Sequence, residues 1–195
     1  FVEKNFPEQA HLISQTPSPM VMTARHIKEK DPTAKVVFVG PCVAKKREIH
    51  LGKTMGAVDC ALTFEELYAL FESRDIELTE LEPTPLDQAS GFGRSFAHSG
   101  GVSAAVAQAL KERGSDFNLK PQACSGLEAC RLAFLKAAKG VGDINFIEGM
   151  ACEGGCVLGP AQLIRSPRNQ GDVVRHAKQA EGRTIQEALD TARKG

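Results

Sequence analysis

The sequence predicts an α/β fold with a mainly parallel sheet of about four strands flanked by helices. Short apolar runs such as Lys35–Gly40 (KVVFVG) and Ile144–Ile147 alternate with stretches of helical spacing. The runs are continuous rather than alternating, as in strands covered on both faces. The first ends in Pro41-Cys42, and the second leaves through Glu148, Gly149 and Met150.

In chain order, Phe1–Lys30 reads as a helical lead-in and then a helix. Ser14–Pro19 is a loop, and Pro19 suits the first turn of the helix Met20–Lys30. Strand Lys35–Gly40 leads into Pro41-Cys42. Gly52–Ala57 is a loop before the second strand, Val58–Leu62. Thr63 is the expected N-cap of the helix Phe64–Arg74, with Glu65 and Glu66 in its first turn. Asp75–Gln88 is an acidic, proline-bearing loop. Ser90–Val102 is glycine-rich, holds His98 and precedes the helix Ser103–Arg113. Leu119–Ala123 is the third strand, Gly126–Ala138 a helix closed by Gly140, and Ile144–Ile147 the fourth strand. Ser166–Gly171 is a polar loop, followed by amphipathic helices at Asp172–Ala180 and Thr184–Lys194. Three regions result: a helical segment (1–34), an α/β lobe with the cysteine loops (35–165) and C-terminal helices (166–195).

The 195 residues carry no net formal charge, which gives no electrostatic case for nucleic acid. No apolar run approaches the roughly 20 residues of a membrane span. The N-terminus has no signal-peptide pattern. A cytoplasmic location is expected. The chain lacks an initiator Met and begins in mid-pattern, so a fragment or processed product is expected. Six cysteines without a secretion signal argue for reduced thiols.

Two stretches concentrate the chemistry. IEGMACEGGC (Ile147–Cys156) puts Cys152 and Cys156 four residues apart on a loop with Gly154 and Gly155, which allow an object to approach the backbone closely. VAKKREI, after Cys42, spaces Cys42, Lys45 and Glu48 by threes, so a helical turn gives them one face. If both loops leave the C-terminal edge of one parallel sheet, Cys42, Cys152 and Cys156 converge. Soft thiolates favour zinc or iron–sulfur. Among the other thiols, Cys60 and Cys130 read as buried bystanders, and Cys124 is open.

PCVAKKRE (Pro41–Glu48) resembles the M-P-C-x-x-K-x-x-E signature of the iron-only (FeFe) hydrogenases, and EGMACEGGC (Glu148–Cys156) resembles their E-x-M-A-C-x-x-G-C. The likeness extends in register from about Phe1 to Leu163. It implies one lobe of that family's two-lobed catalytic domain. By motif position, Cys42, Cys152 and Cys156 would ligate a 4Fe–4S cubane, and Cys156 would also bridge to a di-iron subcluster carrying CO and cyanide, the two together forming the H-cluster. Lys45 would hydrogen-bond a cyanide ligand. Met150 would pack on the di-iron unit, Glu48 would support from behind, and Ser14 falls near the family's proton-path serine. The implied chemistry is reversible heterolysis of H2, with protons, an electron carrier such as ferredoxin and the missing N-terminal lobe as partners.

Three departures accompany the resemblance. The family's T-S-C-C-P-x-W is absent, and with it the fourth cubane ligand, so the isolated chain is expected to be inactive and apo. Gly40 stands where the family has Met. GGCVLGPAQL replaces GGC-x-x-GGGQP. Alternatives are an H2-sensing regulatory module and a hydrogenase-like iron–sulfur assembly protein without turnover.

Overall fold

The structure is a computed structural model describing residues 1–84, 89–180 and 183–194. The last four residues of the expected acidic loop, 85–88, lie outside the described residues. The chain forms two compact units. The first comprises Phe1–Leu81 with Pro160–Ile164, and the second Glu82–Gly159 with Arg165–Gly195.

The first unit opens with a short helix α1 (Val2–Asn5) and a 3-10 turn Pro7–Leu12. Helix α2 (Pro19–Lys30) begins with Pro at its first position and is capped by Ser18, whose Oγ accepts from Val21 N. Strand β1 (Val37–Val39) pairs in parallel with β2 (Cys60–Leu62), in register Val37 to Cys60 and Val39 to Leu62. Helix α3 (Ala44–Glu48) lies between them in sequence, and α4 (Phe64–Glu72) follows β2. Thr63 caps α4 with a full capping box: its hydroxyl accepts from Glu66 N at 3.2 Å, and Glu66 accepts from Thr63 N at 2.8 Å. The core gathers Met20, Val21 and Ala24 of α2 with Ile49, Ala57, Val58 and Ala61, against Val36 and Phe38.

The second unit contains α5 (Gly91–Arg94), α6 (Gly101–Glu112), β3 (Pro121–Ser125), α7 (Leu127–Ala138), β4 (Phe146–Met150), α8 (Arg168–Lys178) and α9 (Ile185–Lys194). Strands β3 and β4 are parallel, from Pro121 opposite Phe146 to Ser125 opposite Met150. Cys124, Cys130 and Ala133 form the core with Ala129 and Ile147. Glu112 of α6 accepts from the first amides of α9, Ile185 N at 3.0 Å and Gln186 N at 3.1 Å. A carboxylate at a helix N-terminus satisfies donors that have no partner within the helix and favours the helix dipole.

The α/β class and the parallel pairing are as expected, and the described residues contain four strands. Hydrogen bonding groups them as two separate pairs. The expectation of strands covered on both faces fails at β1, where Val37 is 51% exposed; a strand with one neighbour in a two-stranded sheet has little to cover it. Cys60, expected to be buried, is exposed at the start of the short β2. Strand β4 runs through Glu148 and Gly149 to Met150 instead of ending at Ile147, because Ser125 pairs with Met150. Helix α8 begins at Arg168, inside the expected polar loop. No helix among the described residues is long and apolar enough to cross a membrane.

Candidate metal centre

In the first unit, Cys42 lies just past the end of β1. The backbone turns at once, Lys45 N donating to Cys42 O at 3.3 Å, and continues into α3. The three-residue spacing of Lys45 and Glu48 therefore becomes a shared helix face. Lys45 Nζ donates to Glu48 Oε2 at 2.5 Å, and both side chains are largely covered. Glu48 Oε1 accepts from the hydroxyl of Ser18 at the cap of α2. Burial pushes the Glu48 carboxyl up; the hydrogen bonds from Lys45 and Ser18, with the Lys45 charge, outweigh this and hold it below the usual carboxylate range. Lys45 is thus aimed and charge-balanced by a carboxylate that is itself anchored to α2. Cys42 is half-buried.

Ser14 is exposed, and its Oγ accepts from Thr16 N at 3.2 Å. The hydroxyl that reaches Glu48 belongs to Ser18. Its sequence signal was the serine directly before the helix-opening Pro19, which marks a cap and so a fixed side chain.

In the second unit, the cysteine loop leaves the end of β4. Glu148 and Met150, two apart on the strand, are both buried, while Gly149 between them is not. The Glu148 carboxylate accepts three hydrogen bonds from the start of α6: Gly100 N at 2.9 Å, Ser103 N at 2.7 Å and Ser103 Oγ at 2.6 Å. This buried carboxylate is saturated by donors at a helix N-terminus. Sequence reasoning assigned Glu148 no role beyond its place in the motif. Met150 Sδ lies 4.0 Å from Cys156 Sγ. Cys152 and Cys156 are half-buried, and a turn joins Gly155 N to Cys152 O at 3.0 Å.

The two loop glycines were expected to make room for a cofactor. The protein's own chain takes that room. A Cβ on Gly155 (φ +99°) would lie 2.5 Å from Ala97 O and 2.7 Å from Ser99 N. One on Gly154 would lie 2.6 Å from Gln170 Nε2. Val157 N donates to Ala97 O at 2.9 Å, Gly154 N to Ser125 Oγ at 2.7 Å, and Gln170 Nε2 to Gly154 O at 3.0 Å. The loop carrying Cys152 and Cys156 is therefore tied to the Ala97–Ser99 turn, to β3 and to α8.

Burial pushes the Cys124 and Cys130 thiols up, with Cys130 and Glu148 adding to the effect at Cys124. Both are buried and pack as small apolar residues of the second unit's core. The cysteine loops follow strands of different pairs, so one continuous sheet edge does not align them. Within either unit, among the described residues, no three His, Cys, Asp or Glu side chains gather as a metal site. The donor set suits an iron–sulfur group in kind: half-buried thiols on strand-end loops, with a thioether beside Cys156 and, three residues after Cys42, an ammonium held by Glu48.

The fold is a parallel α/β chain with thiols just past two strand ends, and comparison with known proteins gives its family. Residues 1–160 match the family described as the iron only hydrogenase large subunit, C-terminal domain, and the chain belongs to that family. Similar proteins include cytosolic iron-sulfur assembly component 3 of Pongo abelii, 26% identical over 195 residues, covering 80% of this chain and 41% of the relative. Iron hydrogenase 1 of Clostridium pasteurianum is 24% identical over 209 residues, covering 86% of this chain and 36% of the relative. This chain thus spans about two fifths of the length of such relatives. Among solved structures, an FeFe-hydrogenase from Chlamydomonas reinhardtii superposes with a TM-score of 0.72 at 19% identity, covering 99% of this chain and 67% of that one. These likenesses place the fold with the hydrogenase large subunit.

Proposed function

We propose that this chain is the part of an iron-only-hydrogenase-like protein that supplies most of the protein ligands of an H-cluster. Cys42, Cys152 and Cys156 would hold a 4Fe–4S cubane, and Cys156 would also bridge to a di-iron subcluster. When bound, that group supplies the reversible heterolysis of H2. The chain's own residues contribute orientation and charge. Lys45, fixed by Glu48, would offer its ammonium to an anionic cyanide ligand of that group. Glu48 and Ser18 hold that ammonium in place. Met150 covers Cys156 with a thioether, and the Glu148 anchor keeps the strand end beneath both. Ser14 stays a candidate for the proton path. Protons, an electron carrier such as ferredoxin and a further lobe of the same protein complete the system, in the cytoplasm.

The observation that carries this reading is the Lys45–Glu48 pair behind Cys42. A cubane needs only its thiolates, whereas a partly covered ammonium held in place by a carboxylate is suited to an anionic ligand. A second reading is favoured by relatives named cytosolic iron-sulfur assembly components: a cluster-binding assembly protein with a cubane and no di-iron unit. Gly40, without the side chain the hydrogenase signature carries there, leans the same way. The two separate in the full-length protein purified without oxygen. Isotope exchange between H2 and heavy water supports the hydrogenase reading if it depends on Lys45. Four irons per chain, no exchange and indifference to Lys45→Ala support the assembly reading instead.

A further inference from the structure

The first unit contains a cleft of about 490 Å3, within the usual range for small-molecule sites. Its wall includes Arg25 of α2, Arg47 of α3 and Lys53 of the following turn, with Thr16, Leu51 and the back of Glu48. Arg25 donates to Lys53 O at 2.7 Å, which ties two of the cations to one edge. Among the described residues, none of the three forms a salt bridge to a carboxylate. Other cations of the unit do: Lys28 and Lys35 with Asp59, Lys45 with Glu48 and Lys46 with Glu66. Glu48, the one acid in the wall, is already balanced by Lys45 and Ser18.

This concentration does not follow from composition. Residues 1–81 hold ten Lys and Arg against twelve Asp and Glu, so the stretch is slightly acidic. Three cations without acidic partners around one concavity repel one another, and an anion between them relieves that repulsion. Guanidinium groups present planar donor forks that match phosphate and carboxylate oxygens.

We propose that this cleft is a binding site for a small polyanion carrying phosphate or carboxylate groups. Arg25 and Arg47 grip its oxygens, Lys53 supplies the third charge, and Leu51 contacts its carbon frame. The site uses none of the cysteines and does not depend on the cluster reading.

Calorimetric titration of the 195-residue chain with inorganic pyrophosphate tests this, against sodium chloride at matched ionic strength. One site per chain is expected, weakened at least about tenfold by the double variant R25Q/R47Q, the loss of one to two charge-assisted contacts. A parallel titration with citrate separates phosphate from carboxylate preference. On the unmodified chain, pyrophosphate should shift the NMR signals of the Arg25 and Arg47 guanidinium groups, which keeps the test valid if the variant folds poorly. Heats equal to the chloride control, unchanged binding by a folded variant, or binding of an acidic peptide with none of either small anion would overturn the proposal.

Discussion

Two carboxylates govern the site at the level of single residues, and they work in opposite surroundings. Glu148 is buried and accepts from two main-chain amides and one hydroxyl. Removing it strands those donors inside the protein. Glu148→Ala should therefore destabilise the chain by at least about 3 kcal/mol, and Glu148→Gln, which keeps one acceptor, by about 1–2 kcal/mol, read from urea unfolding. Glu48 faces a cation and a hydroxyl, and its carboxyl sits below the ordinary range. A carboxyl with a folded value below its unfolded one stabilises the fold at pH above the unfolded value. That stability is lost as the pH falls through the folded value. Lys45→Met should move the Glu48 titration upward, seen in the carboxyl carbon signal by NMR, and should flatten the loss of stability on the acid side. A Glu48 titration that ignores Lys45 would show that the pair is not formed in solution.

At the level of elements, the glycines of the cysteine loop decide its shape. Gly155 has a positive φ and faces the Ala97–Ser99 backbone. A side chain there meets atoms that cannot swing away, and pays for a left-handed backbone as well. Gly155→Ala should lower stability by at least about 3 kcal/mol. Gly52, with nothing within 4 Å of an added Cβ, is the control. Gly52→Ala should be neutral or stabilising by up to about 1 kcal/mol. The denaturation midpoints of the two variants give the comparison. The same level shows what a sequence can disclose. The Thr63 N-cap, Pro19 at the start of α2 and the shared face of Lys45 and Glu48 were all legible, because each is decided within one turn of chain. The partners of Glu148 were not, because its donors lie 45 and 48 residues away. Nor was the division of the strands into two pairs, since apolar runs reveal strands and not their neighbours. The glycines were read as space for a cofactor; only the fold places the Ala97–Ser99 turn against them.

At the level of the molecule, membership of the iron-only hydrogenase family and the parallel α/β fold rest on firm ground, and the proposed cluster rests on named side chains. Cys42 in the first unit and Cys152 and Cys156 in the second lie on loops just past a strand, and each loop is braced from behind. Glu48 and Ser18 brace Lys45 in the first unit; Glu148, Ser125 and Gln170 brace β4 and its loop in the second. Bracing of this kind suits thiols that must hold one geometry around a rigid inorganic group. The most direct test is the infrared spectrum of the full-length protein purified without oxygen, beside its Cys156→Ala variant. The account predicts bands of metal-bound CO and cyanide in the unmodified protein and their loss in the variant. A cluster-loaded protein with no such bands, or bands that survive in Cys156→Ala, would contradict it.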